Sequence, residues 1–529
     1  MTKEKPPLFV RKATGLVREI SVLSTIPLSW LCIGAGINVF AIQSSFNFPG
    51  ANVPLGYLIT GILYVIFTAC LGLMAVAMPR TGGDYVSTSR VLGPFFGILS
   101  VIPRIIGLAF IGGLLSGLTG IFIGTGLIQA GTLANNTAIT DIGNSLVASD
   151  MTTFVVGVII AVVSLLILLT GSKTFSVAIW VLMIVPLVGS LVGMGMLLTN
   201  NPTTAATAWD NMFGSGAWNE IVNVAENNGW TAETYATMNW DNTFKVLIPA
   251  YFAYGGSEAT VYWGGEVKEP KKSMLVGMIV GPLLMMIFYS LFVYSIFACY
   301  GTFVSQSAFV MMQSDVAAKL TINNPNLPVN FPMFASVLLP QTWFVVFVSL
   351  TSALWLFGVV VLVMGMVSRL IFAMAFDRFV PEVLASVNDR FHSPHWALLL
   401  CFVFSLVGLG IFIYWGALAE IINTTIMWFF WSMLLCVAAT IYPLTRREIW
   451  EKGYAHRLLG FPVISILGII SFAAYAYVNT AAISEASSKV LYLAMGTWVF
   501  ALIYYVIYAL YNRSKGIDVE AVYREIPPA

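Results

Sequence analysis

An all-α integral membrane protein of about twelve spanning helices, the first and sixth discontinuous, is the architecture this sequence predicts. Three observations carry it. Hydrophobic residues make up 58% of the 529 positions and charged residues only 9%, whereas an ordinary soluble chain is about a quarter charged. A dozen apolar runs reach the length of about 20 residues that a spanning helix needs. Two of those runs are broken by glycine, at Gly34-Ala35-Gly36-Ile37-Asn38 and at Tyr254-Gly255-Gly256-Ser257-Glu258.

In order, the runs lie near 21–43, 54–78, 95–128, 152–171, 175–198, 244–263, 274–300, 342–376, 395–416, 418–443, 461–480 and 489–512. The run at 95–128 exceeds one crossing and has room for an interfacial piece. The basic stretch before the first run is followed by no small-residue cleavage motif, so that run reads as a span and not a signal peptide.

Positive charge orients the spans. If the clusters at 3–18, Arg80 with Arg90 and Arg104, Lys173, 268–272, 369–390, 446–457 and 513–524 share one side, that side holds 22 of the 25 Lys and Arg residues. Only Lys245, Lys319 and Lys489 fall opposite. Both termini are then cytoplasmic. The 199–243 loop, extracellular in this scheme, carries no Lys or Arg and holds Trp209, Trp218, Trp230 and Trp240. That composition suits a short folded cap or an interfacial contact; a bulky disordered loop is the alternative. The same alternative applies to the Asn/Pro-rich 301–340 loop.

Several function classes are excluded. A net charge of +1 offers no footprint for nucleic acid. The five cysteines, Cys32, Cys70, Cys299, Cys401 and Cys436, lie in apolar stretches and read as small hydrophobes. His392, His395 and His456 sit in polar connections, which leaves no metal site and no Ser/His/Asp set within the spans. No Gly-rich stretch ends in Gly-Lys-Ser/Thr, so no nucleotide loop is formed. The chain reads as a non-enzyme without cofactor.

The glycine breaks carry the chemistry. A helix interrupted within hydrocarbon frees backbone groups that lipid cannot satisfy, so a break persists where it faces a cavity or ligand. A pair of breaks at matching places in two halves points to the substrate site of a transporter. Gly34 and Gly36 admit non-helical backbone. The half-helix that follows would present the N–H groups of Ala35, Gly36 and Ile37 and a positive dipole end, which suits a carboxylate. Helix packing is the bland alternative for a Gly-x-Gly. At the second break, carbonyls near Phe252, Ala253 and Gly255 suit an ammonium. Amides on one break and carbonyls on the other match the zwitterion of an α-amino acid. Glu258 is an acid inside a span and defaults to a functional role, although it could merely fix the bend. Gly113-x3-Gly117, Gly120-x3-Gly124, Gly189 and Gly193 read as packing.

Four stretches resemble the amino acid–polyamine–organocation (APC) superfamily of permeases. They are Gly34-Ala35-Gly36-Ile37; Pro79-Arg80-Thr81-Gly82-Gly83-Asp84-Tyr85 with Gly93-Pro94; Tyr254–Glu258 followed by Glu266-Val267-Lys268-Glu269-Pro270; and Ser368-Arg369, Asp377-Arg378 and Pro381 with Ser393-Pro394. The resemblance implies a LeuT-type fold. Residues 1–20 form a cytoplasmic N-terminal segment, 21–198 and 244–443 two inverted five-helix repeats, and 444–529 two additional helices with a short cytoplasmic tail. It implies substrate contacts at Cys32, Ala35, Gly36, Ile37, Phe252, Ala253, Gly255 and Ser257, an aromatic gate at Phe252 and proton sensing at Glu258.

The chain departs from the family pattern at Asn38, where an aromatic or aliphatic residue is common, and at Arg378, where glycine is usual. The fifth span has no lysine, and the eighth, around Val359–Met364, offers no sodium ligands. A proton is therefore the candidate coupling ion, ahead of sodium, for a symporter or antiporter. Around Val361–Met364 and Phe110 the pocket is apolar, and Glu258 is the one charge visible within the spans. The expected function is alternating-access transport of neutral, apolar amino acids across the plasma membrane. A polyamine or organic-cation carrier, with Glu258 as counter-charge, is the alternative. A non-transporting receptor would carry a long signalling tail, and only about 17 residues follow the last span.

Overall fold

A computed structural model describes residues 9–10, 13–34, 36–322, 329–415 and 425–527, with backbone alone at Gly36, Ile37 and 425–428. Among the described residues nine helices are long and apolar enough to cross a membrane: Val53–Ala77, Pro94–Leu133, Asp150–Leu169, Ser172–Leu198, Pro270–Tyr300, Thr342–Phe376, His395–Trp415, Val463–Glu485 and Ser488–Ser514. Thr425–Thr445 adds a tenth apolar helix. The remaining two expected spans are in pieces. The first runs as Thr25–Trp30, a π-helical turn Gly36–Phe40, and Ala41–Asn47. The sixth runs as Leu247–Tyr254 and, past the break, the 3-10 turn Ala259–Tyr262.

Local chemistry sets the boundaries. Asn52 accepts the Leu55 N–H at 3.1 Å to cap the second span, and Ser149 does the same for Thr152 at 3.2 Å before the fourth. Gly93, at φ +94°, turns the chain and Pro94 opens the third span. That helix extends to Leu133, beyond the expected 95–128. The seventh span starts earlier than expected, at Pro270, and carries a π turn at Val276–Val280. Carbonyls in and just after the turn are put to use: Ser29 donates to Gly277 O at 2.6 Å and the Trp30 indole to Gly281 O at 3.0 Å. These bonds pin the first half-helix of span one.

One expectation is corrected here. The charge alternation counts Arg104 with an inner connection. The structure places it three turns into the third span and 2% exposed. The helix begins at Pro94 and the residues flanking Arg104 are apolar, so the guanidinium is carried into the bundle and must find partners there.

The third and eighth spans form the most extensive helix pair. The glycine patterns work as close contacts. A Cβ on Gly113 would collide with the backbone of Ser405 and Leu409, one on Gly120 with Val156, and one on Gly189 with Thr351. The 199–243 loop is folded, with helices Pro202–Phe213, Ala217–Asn227, Ala232–Tyr235 and Trp240–Lys245. Trp209 is fully buried, and Trp218 stacks on Phe303 with ring centroids 3.5 Å apart. Trp240 stays 57% exposed.

At the opposite end of the bundle the motif stretches lock together. Arg90 makes a two-pronged ion pair with Asp377, at 2.6 and 2.7 Å. Arg369 does the same with Glu266, both bonds 3.0 Å, and Ser172 donates to Glu266 at 2.6 Å. Gly82, at φ +110°, brings the helix Gly83–Leu92 so close to the eighth span that a Cβ would lie 2.3 Å from Ala373 Cβ. The chain's last described segment closes over this end. Tyr523 is 1% exposed and bonds Tyr85 at 2.7 Å. Arg80, Arg90 and Arg446 donate to the carbonyls of Pro527, Glu525 and Tyr523.

Candidate functional site

The two interrupted spans meet at their breaks. Span one leaves helical geometry after Trp30, and span six does so at Gly255, whose ψ of 128° is extended. Gly256 follows at φ +102°, a conformation cheap only for glycine. A Cβ there would lie 2.9 Å from Cys32 Cβ, and one on Gly34 would lie 2.9 Å from Val359 Cγ2. The glycines are therefore required by close approach as well as by backbone freedom.

A narrow cavity of about 30 Å³ sits at this junction. Cys32 and Gly34 line it from span one, Phe252, Ala253, Gly255 and Gly256 from span six, Ile111 and Leu115 from span three, and Val359, Leu362 and Val363 from span eight. Its side chains are apolar apart from the Cys32 thiol. At that volume it holds a water or two and no amino acid.

Of the expected contact residues, Cys32, Phe252, Ala253 and Gly255 line the cavity together. Ala35 lies outside the described residues. Gly36 opens the π turn and Ile37 follows in it, so the backbone after the break does begin a helical segment there. Ser257 is fully buried away from the lining, its hydroxyl without a hydrogen-bond partner among the described residues. The carbonyls expected to be open are partly engaged: Phe252 O accepts the Gly255 N–H at 3.1 Å, and Ala253 O accepts the Tyr289 hydroxyl at 2.9 Å. Each keeps a second lone pair. Phe252 packs edge-on against Phe40, centroids 5.6 Å apart. Asn38 fits its unusual place by turning inward, its amide donating to Gly34 O at 3.3 Å and Ser352 O at 3.5 Å.

Glu258 has more company than the sequence indicates. Its Oε2 accepts the Gly256 N–H and the Tyr64 hydroxyl, both at 2.9 Å. Its Oε1 accepts Arg104 Nη2 at 3.0 Å. So the acid caps an amide freed by the break and also forms an ion pair between spans six and three. The expectation that Glu258 is the one charge within the spans is corrected: Arg104 and Asp84, bonded to each other, share its surroundings. The charge pattern groups Arg104 with a connection, which hides the pair in the sequence. The signal was present in Pro94, which fixes where the helix starts.

Two discontinuous helices meeting at a small cavity inside a multi-pass apolar bundle are the arrangement of a membrane transport protein. The chain belongs to the amino acid permease family, whose model matches residues 20–505, and so to the APC superfamily. It is also similar to the glutamate/serine transporter AimA of Bacillus subtilis strain 168, at 23% identity over 245 residues. That match covers 45% of this chain and 41% of the relative.

Proposed function

We propose that this permease carries small neutral amino acids across the plasma membrane by alternating access, with both termini cytoplasmic. The observation that carries the reading is the lining of the cavity at the two breaks, made of backbone and apolar side chains with no charged group. The substrate carboxylate would meet the helical start at Ala35, Gly36 and Ile37, and the ammonium the carbonyls of Phe252, Ala253 and Gly255. Phe252, against Phe40, would cover the substrate. Because the cavity is too small for a substrate as it stands, spans one and six must separate from spans three and eight to admit one. The relative's name includes glutamate and serine; of the two, the uncharged serine is the one compatible with a lining that offers no counter-charge. A polyamine or organic cation needs a free counter-charge, and the Glu258 carboxylate is already engaged by Arg104, Tyr64 and Gly256. The proton is the proposed coupling ion, through Glu258, so replacing sodium with choline leaves transport intact.

The test is a thermal-shift panel on the purified protein with serine, alanine, leucine, glutamate and putrescine. A ligand at a hundred times its Kd adds about 2.7 kcal/mol to stability. Stabilisation by the neutral amino acids supports the reading; stabilisation by putrescine alone overturns it.

A further inference from the structure

One cation serves two anions beneath the cavity. Arg104 holds Glu258 through Nη2 at 3.0 Å and Asp84 through Nη1. All three are buried, at 2%, 0% and 3% exposure. The guanidinium plane lies on the Trp431 ring, 3.4 Å from its centroid, and 4.9 Å from that of Tyr262. The Tyr262 hydroxyl donates to Asp84 Oδ1 at 2.8 Å. Glu258 is faced by Tyr64 from span two and Arg104 from span three, with Cys32, Tyr262 and Tyr475 close enough to feel its charge. None of these neighbours except Arg104 brings positive charge. The three groups stand on three separate elements: the helix after span two, span three, and the break in span six.

We propose that Asp84 is the competing partner that makes opening of the site take up a proton. The proposal rests on the permease reading, in which span six moves relative to span three. When it moves, the Arg104–Glu258 contact breaks. Arg104 stays with Asp84 as a neutral pair, because the helix that carries Asp84 is clamped to the end of the eighth span by Arg90–Asp377 and by the close approach of Gly82 to Ala373, and its first turn favours a carboxylate. The Tyr262 bond, made from span six, is lost with the Glu258 contact. Glu258 loses its counter-charge and keeps only neutral donors such as the Gly256 amide, in a poorly solvated bundle where an uncompensated charge is costly. A hydronium from the water entering the opened site gives its proton to a Glu258 oxygen lone pair and leaves as water. On closure Arg104 returns and the proton departs to water. Asp84 is thus a positioning residue that acts through Arg104, and Glu258 is the group that carries the proton.

The experiment uses full-length protein in proteoliposomes, with labelled serine and leucine as probes, a pH profile of uptake, and an external pH dye. The wild type is expected to take up external protons with the amino acid and to show pH-dependent uptake. Asp84→Asn is expected to be about tenfold slower with a flat pH profile, since Arg104 then has Glu258 as its remaining carboxylate and the pair stays closed. Glu258→Gln is expected to be flat too, and Asp84→Glu to restore the wild-type profile. An Asp84→Asn variant with the wild-type pH profile overturns the proposal. Wild-type uptake that leaves external pH unchanged overturns it without any variant, while the permease reading stands. No uptake of either serine or leucine by the wild type overturns the neutral amino acid reading and this inference with it.

Discussion

Gly256 and Cys32 mark the point where the two interrupted spans touch: a Cβ on Gly256 would fall 2.9 Å from the Cβ of Cys32. The position also has φ +102°, which an L side chain adopts only under strain. Gly256→Ala is therefore expected to push the breaks apart at a cost of about 1–3 kcal/mol. Amino-acid uptake should fall at least tenfold while the protein still elutes as a single species in detergent. Uptake at the wild-type rate would show that the breaks tolerate separation.

The Arg90–Asp377 pair ties the helix after span two to the turn after span eight, with both partners almost fully buried. Asp377→Asn removes the charge and leaves Arg90 uncompensated, which costs about 3–5 kcal/mol. A clear drop in Tm in detergent is expected. Tyr523→Ala removes the ring under the same guanidinium, 4.8 Å away, and the hydroxyl bond to Tyr85. A smaller drop in the same direction should follow.

Arg378 occupies a backbone conformation that favours glycine, φ +63°. Its side chain pairs with the exposed Glu382. Arg378→Gly relieves about 1 kcal/mol of backbone strain and forfeits a surface ion pair worth about 0–1 kcal/mol. Tm should change little in either direction. A large loss would mean that the Arg378 contact with the Phe9 carbonyl, at 3.4 Å, matters more than the ion pair.

Val363 lines the cavity from the eighth span. Val363→Ala enlarges it by two methyl groups, each worth about 1–3 kcal/mol in discrimination between side chains. The ratio of leucine to serine transport is expected to rise about tenfold or more. An unchanged ratio would place the substrate side chain elsewhere.

The sequence made the outline of this molecule legible through length and apolar content alone, because a bilayer dictates both. The two breaks were visible because paired glycines interrupt two apolar runs at matching places, a coincidence that packing alone does not require. The charge network was not visible. Its members, Asp84, Arg104 and Glu258, are 20 and 154 residues apart along the chain, and pairing over such separations depends on how helices cross. Arg104 also obeyed the pattern expected of a cytoplasmic connection while lying inside a helix. Arg90 with Asp377, and Arg369 with Glu266, were recognisable as motif residues, but their chemistry as buried clamps emerges only when the connections fold together.

The central claim is that the junction of the two breaks holds a neutral amino acid. Counterflow measures it most directly, with proteoliposomes preloaded with unlabelled serine, leucine or putrescine and given the labelled compound outside. Accumulation of labelled serine or leucine, lost in Gly256→Ala, and none of putrescine is the result the structure leads to. Accumulation of putrescine without either amino acid would contradict it.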